Sequence, residues 1–228
     1  MVSGAKPGVG QAVPRSPAMT QIPDFGESRG PLRPRRPHDF DEFYEGTPPW
    51  DIGRPQPALA ALAEAGAFTG RVLDAGCGTG EHALLAAGLG LDATGVDAAA
   101  RAIGLAREKA RARGLTARFL VTDALDLGSL GEQFDTVVDS GLFHVFEDDD
   151  RARYVSSLSA VVRPGGRGHV LCFSEHQPGD WGPRRITQDE IRTSFAGGWR
   201  VDAIEPTRLD VVFEPGSVAA WIASLTRL

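Results

Sequence analysis

Residues 71–80, Arg71-Val72-Leu73-Asp74-Ala75-Gly76-Cys77-Gly78-Thr79-Gly80, restrict the fold of this chain more than any other stretch. A short apolar run closed by a glycine cluster reads as a buried strand entering a tight turn. Glycines at every second position let the backbone wrap closely around a ligand with no side chain in the way. The helix expected behind them, over 81–89, offers free N–H groups to a carboxylate or phosphate. A dinucleotide fingerprint counted from Gly76 needs a third glycine where Glu81 stands, and no Gly-Lys-Ser/Thr follows to make a Walker loop.

Around this turn, strands and helices alternate. Further strands are expected over 92–96, ending in Asp97; over 117–121, ending in Thr122-Asp123; over 134–138, ending in Asp139-Ser140-Gly141; and over 168–173. The intervening helices fall over 57–66, with proline near the start and glycine at the end, over 98–113, stopped by Gly114, and over 148–162, opened by Asp148-Asp149-Asp150. Five strands separated by helices require parallel pairing with right-handed crossovers, which makes the fold an α/β, doubly wound open sheet. The last quarter departs from this rhythm. A helix near 187–195 precedes two strand-like runs, 199–204 and 209–213, joined by Glu205-Pro206-Thr207-Arg208. That connection is too short for a crossover, so the two runs are expected to be antiparallel neighbours.

Ligands of such sheets lie beyond the carboxyl ends of the strands, where the strand order reverses. Asp97, 23 residues after Asp74, is placed to accept hydrogen bonds from two ribose hydroxyls, and Asp123 to accept from an exocyclic amine such as that of adenine.

The opening segment has a different character. Residues 1–37 contain seven of the sixteen prolines and a net charge of +4, from six basic and two acidic side chains. With the whole chain at −6, the remaining 191 residues carry −10. The segment is expected to be a flexible extension, because it offers too little apolar surface to offset its ordering entropy. Residues 38–228 are expected to form a single domain. Its acidic body repels a phosphate backbone, which argues against nucleic acid as a partner. No apolar run approaches the ~20 residues of a membrane span, and no apolar core of a secretory signal opens the chain. Two cysteines, Cys77 and Cys172, make neither a disulfide framework nor a cysteine-rich zinc site, and no histidine–carboxylate cluster suggests a metal. A cytoplasmic monomer without membrane attachment is the expectation.

Val72 through Gly80 resembles the first motif of class I S-adenosylmethionine-dependent methyltransferases. Val96-Asp97, Thr122-Asp123-Ala124, the strand leading to Asp139 and Val162-Arg163-Pro164-Gly165-Gly166 resemble that family's later motifs, in order. The resemblance spans about residues 50–213 and implies a Rossmann-like, seven-stranded sheet, mostly parallel with an antiparallel last strand. It implies S-adenosylmethionine as cofactor, with S-adenosylhomocysteine as its product. Asp74, Ala75, Gly76, Cys77, Gly78 and Gly80 would line the methionine end, Asp97 the ribose with Ala98 beside the adenine, Asp123 and Ala124 the adenine edge, and Ser140 the sulfonium. Cys77 would contribute backbone alone.

A narrower resemblance lies in Thr47-Pro48-Pro49-Trp50-Asp51-Ile52-Gly53-Arg54-Pro55-Gln56-Pro57. It is similar to the segment ahead of the core in thiopurine, halide/thiol and tellurite-resistance methyltransferases and related bacterial quinone or heterocycle methyltransferases. That likeness implies an N-terminal cap, about residues 38–57, with Trp50 against the cofactor.

The acceptor should meet Ser140-Gly141-Leu142-Phe143-His144-Val145-Phe146, with Phe143 and His144 as a wall, and the loop 174–185, with His176 and Trp181. His144, and Asp139 beside it, are candidates to orient or deprotonate an acceptor hydroxyl or N–H. The resulting expectation is direct methyl displacement onto a small molecule: a thiol, a phenol or hydroquinone, or an N-heterocycle. An RNA or protein methyltransferase that docks through the basic leader, and a non-catalytic S-adenosylmethionine-binding regulator, are the alternatives.

Overall fold

Apolar runs of four to six residues alternate with alanine-rich helical segments, and residues 41–228 resolve that alternation into helices layered on a seven-stranded sheet. The computed structural model describes Met1 and residues 41–228. The expected extension over 2–37 and the first residues of the cap lie outside the described residues. Strands β1 (Arg71–Ala75), β2 (Asp92–Asp97), β3 (Arg118–Val121), β4 (Phe134–Ser140) and β5 (Val162–Phe173) pair in parallel. Strand β7 (Ser217–Arg227) lies antiparallel between β5 and β6 (Trp199–Asp210). The sheet order is β3-β2-β1-β4-β5-β7-β6.

Helices α1 (Pro57–Glu64), α2 (Glu81–Gly88) and α3 (Ala100–Arg113) cover one face through Leu59, Leu84, Ile103 and Ala106. Helices α4 (Asp148–Val161) and α5 (Gln188–Ser194) cover the other through Tyr154, Leu158 and Ile191. Side chains such as Phe134, Tyr154 and Phe195 are completely buried, and each contributes on the order of 1.5–3 kcal/mol by leaving water. The order reverses at β1, which pairs with both β2 and β4, so the crevice for a ligand opens above its carboxyl end.

One expectation about the last quarter is corrected. The runs 199–204 and 209–213 are not two strands joined by a turn: β6 passes straight through Glu205-Pro206-Thr207-Arg208. Proline has no N–H to give a sheet, which suggests a break in sequence, but β6 is the edge strand and needs partners on one side alone. The true hairpin turn lies over 211–216, and the seventh strand is the Ala- and Ser-rich segment beyond it. The Pro164-Gly165-Gly166 turn sits inside β5, where pairing with β4 jumps from Val162 to Arg167.

Candidate active site

The three glycines of the β1–α2 turn all have positive φ: 68° at Gly76, 51° at Gly78 and 87° at Gly80. At Gly80 a Cβ would also stand 2.7 Å from the Phe119 ring, so this position requires glycine twice over. Asp97 lays the turn across the end of β2. Its two oxygens accept from Gly78 N–H and Ala99 N–H, both at 2.8 Å. Cys77 donates its N–H to Val96 O at 2.8 Å, and burial pushes its thiol up, so the sulfur stays protonated. Glu81, the residue that spoils a dinucleotide fingerprint, is held by Lys109 at 2.8 Å and Arg113 at 2.7 Å.

Asp74 sits beneath this turn, buried, with Oδ2 accepting from Ala83 N–H at 2.9 Å. Its Oδ1 finds no donor among the described residues. A buried carboxylate oxygen without a partner is costly, and an ammonium or ordered water supplied with a ligand satisfies it. Burial raises the Asp74 pKa to about 7, so in the folded protein its ionised form is the expensive one. Stability from this residue is therefore complete below the unfolded carboxyl value near 4 and lost as pH rises through about 7. The expected result is that Asp74→Asn is more stable than the wild type at pH 8, by on the order of 1–3 kcal/mol, with the gap closing toward pH 4. The same variant should bind S-adenosylmethionine more weakly at pH 8. Thermal melts of the free protein at both pH values, with a titration at pH 8, check both halves.

A cavity of about 420 Å³ lies above the carboxyl ends of the strands. One end is formed by the glycine turn, Asp97, Ala98, and Thr122 through Leu125, where Asp123 Oδ1 accepts from Leu125 N–H at 2.9 Å. The other is formed by Gly141, Leu142, His144, Phe173, Trp181, Leu209, Val211 and Phe213, with Ser140 between the two. The segment ahead of α1 roofs both. Trp50 packs on Phe43, ring centroids 5.4 Å apart, and its Nε1 donates to Tyr44 Oη at 3.3 Å. Asp51 accepts from Thr79 Oγ1 at 2.8 Å, which ties the roof to the glycine turn. Gln56 exchanges two hydrogen bonds with the Asp210 backbone, at 3.0 and 2.8 Å, and Val212 donates to Pro49 O at 3.0 Å, which ties it to the β6–β7 turn.

The expected site residues do not all converge. Trp50, Gly76, Cys77, Gly78, Asp97, Ala98, Asp123, Ala124, Ser140, His144 and Trp181 line the cavity, while Asp74, Ala75 and Gly80 support it from behind. Asp139 is enclosed in the core: Oδ1 accepts from Leu142 and Phe143 N–H at 2.8 and 3.3 Å, and Oδ2 from Tyr154 Oη at 2.8 Å. Burial raises its pKa to about 6 despite those donors. Phe143 is wholly buried against Phe195, and His176 packs on Trp221 at 5.1 Å; neither lines the cavity. His144 Nδ1 accepts from Phe173 N–H at 3.0 Å.

Sequence reasoning missed Tyr44, Gln56 and the wall of Leu209, Val211 and Phe213. The odd-numbered apolar spacing of that last trio was the available signal, one face of a strand end. Tyr44 and Gln56 carried none.

Comparison with known proteins bears on the family and the fold. A family model described as a methyltransferase domain matches residues 72–166. The chain is 41% identical over 181 residues to 2-heptyl-1-hydroxyquinolin-4(1H)-one methyltransferase of Mycobacteroides abscessus, covering 75% of this chain and 80% of that one. It is 27% identical over 147 residues to probable thiol methyltransferase 2 of Arabidopsis thaliana, covering 64% and 65%. A solved structure described as "Conversion of a Disulfide Bond into a Thioacetal Group during Echinomycin Biosynthesis" superposes with a TM-score of 0.76 at 42% identity, over 83% of this chain and 91% of that one.

Proposed function

We propose that this chain, which belongs to the S-adenosylmethionine-dependent methyltransferase family, methylates an oxygen of a small, flat, hydroxylated heteroaromatic acceptor that is already ionised at neutral pH. The carrying observation is the make-up of the acceptor end of the cavity. Phe173, Trp181, Leu209, Val211 and Phe213 form an apolar wall, and His144 is set beside Phe173 in it. The charged groups at the rim are paired: Arg54 with Asp210 and Asp150 with Arg153, both at 2.7 Å. Asp139, at the carboxyl end of β4, has both oxygens engaged inside the core.

When bound, the cofactor supplies a methyl group on a sulfonium, an intrinsically good leaving group. The chain's own part is alignment and exclusion of water. Orientation of that kind lowers a barrier by on the order of 7–11 kcal/mol, which leaves little need for a strong base when the acceptor arrives as an anion. The Trp50 and Tyr44 roof, fastened at Thr79 and at Asp210, closes over both ends of the cavity. The Mycobacteroides relative, named for a 1-hydroxyquinolinone, supports an N-hydroxy heterocycle as the acceptor class. A cavity of about 420 Å³ matches the size of a small-molecule site, which supports a small molecule as the acceptor.

A thiolate also needs no base, and the thiol methyltransferase relative favours that second reading. Release of S-adenosylhomocysteine with 1-hydroxyquinolin-4(1H)-one, a simple phenol, an aromatic thiol and iodide separates the two. The N-hydroxy heterocycle should exceed the phenol by at least 100-fold in kcat/KM. An aromatic thiol ahead of every oxygen acceptor would move the reaction to sulfur.

A further inference from the structure

His144 lies where the acceptor must sit, and its hydrogen bonding separates the two roles open to it. We propose that His144 is a hydrogen-bond donor that reads an oxygen of the acceptor through Nε2–H and keeps its proton throughout the transfer. The inference deepens the reading of the acceptor as an ionised oxygen and rests on it.

The first support is the tautomer. Phe173 donates its backbone N–H to Nδ1 at 3.0 Å. A peptide N–H is not given up, so Nδ1 stays unprotonated while this bond stands, and the neutral ring carries its hydrogen on Nε2. The second support is exposure. The residue is only 6% exposed, yet it lines the cavity, and Nε2 has no hydrogen-bond partner among the described residues. A contact with Phe173, ring centroids 4.9 Å apart, fixes the ring. Gly141 leaves Nε2 clear, since a Cβ there would stand 3.6 Å from it.

The third support is the sign of the surroundings. A histidine that acts as base donates from its far nitrogen to an acceptor, a carboxylate or a backbone carbonyl, which stabilises the imidazolium it becomes. Here the far nitrogen meets a donor instead. The charged groups that bear on the ring are the Arg185 and Arg151 guanidinia, which oppose a second positive charge, while the Asp139 oxygens are turned to Leu142, Phe143 and Tyr154. Burial, reinforced by those cations, pushes the pKa down to about 3.

The step then balances without the ring changing state. The acceptor has lost its proton to solvent beforehand, its oxygen forms the new O–C bond as the S–C bond breaks, and the electron pair remains on sulfur. Nε2–H favours an acceptor carrying a partly negative oxygen over a sulfur, a weak hydrogen-bond acceptor.

The test compares wild type, His144→Ala and His144→Gln, the last retaining an amide donor near the Nε2 position. Each is assayed with 1-hydroxyquinolin-4(1H)-one and an aromatic thiol from pH 6 to 9. The oxygen-to-thiol ratio of kcat/KM should fall about 10- to 100-fold in His144→Ala, by the same factor at every pH, and recover in part in His144→Gln. A loss that deepens as pH falls, with no recovery in His144→Gln, would make His144 a base and overturn the inference, as would equal losses on both acceptors. Independently of turnover, the ¹⁵N spectrum of histidine-labelled protein should show His144 as the neutral Nε2–H tautomer down to pH 5. Its signal should shift when the N-hydroxy heterocycle binds beside S-adenosylhomocysteine. An Nδ1–H tautomer, or a signal the heterocycle does not move, also overturns it. A wild type that turns over no oxygen acceptor while the tautomer is as stated defeats the proposed function and leaves the protonation of His144 standing.

Discussion

Replacing Asp97 with alanine should weaken S-adenosylmethionine binding by about 10²- to 10³-fold while the fold survives. The carboxylate closes β2 and receives Gly78 N–H and Ala99 N–H at 2.8 Å each. Each of its oxygens retains a lone pair for the ribose hydroxyls. A hydrogen bond to a charged group contributes about 1.5–3 kcal/mol, and losing two with some mutual compensation amounts to about 3–4 kcal/mol, or the stated factor. The side chain also holds Gly78 in its left-handed conformation, so its loss frees the turn proposed to cradle the methionine end. Asp97→Asn keeps one acceptor oxygen and should fall between. Calorimetric titration reads the effect directly, and an affinity within threefold of wild type would remove Asp97 from the cofactor site.

The second large effect is on folding. Asp139→Ala should lower the free energy of unfolding by about 3–5 kcal/mol, because it strands Leu142 N–H, Phe143 N–H and Tyr154 Oη–H, three buried donors that each cost about 1–3 kcal/mol unpaired. The apolar cluster around Phe143 and Phe195, which sets the start of the loop carrying His144, rests on these bonds. Tyr154→Phe removes one of the three and should cost about 1–2 kcal/mol. Denaturant titration of both variants measures this. Full stability in Asp139→Ala together with lost turnover would return Asp139 to the chemistry, the part its position at the carboxyl end of β4 suggests from sequence.

The parallel half of the sheet and the glycine-turn end of the cavity were legible because their signals are local. The glycine turn, Asp97 and Asp123 each follow directly on a short apolar run, and a strand end fixes where such residues point. Strand β7 was not legible for the opposite reason. Its sequence, SVAAWIASLTR, alternates weakly, since both its faces are buried along Ala220–Ala223, and alanine carries little strand preference. Pro206 misled because its cost depends on whether the strand is an edge, a tertiary fact. Asp139 and Phe143 were read as site residues from their place in the chain, but whether a loop residue faces the cavity or the core depends on a partner as distant as Tyr154 or Phe195. Gln56 meets Asp210 across 154 positions of chain, a contact no short-range pattern encodes.

One cavity is proposed to hold S-adenosylmethionine and an ionised heteroaromatic oxygen in line for transfer. The most direct measurement supplies S-adenosylmethionine labelled with ¹³C at the methyl group, with 1-hydroxyquinolin-4(1H)-one as acceptor, and follows the label by NMR. A single new O-methyl signal is expected, matched one to one by S-adenosylhomocysteine and lost in Asp97→Ala. Label appearing on sulfur in a competing aromatic thiol while the heterocycle stays unmethylated would contradict it.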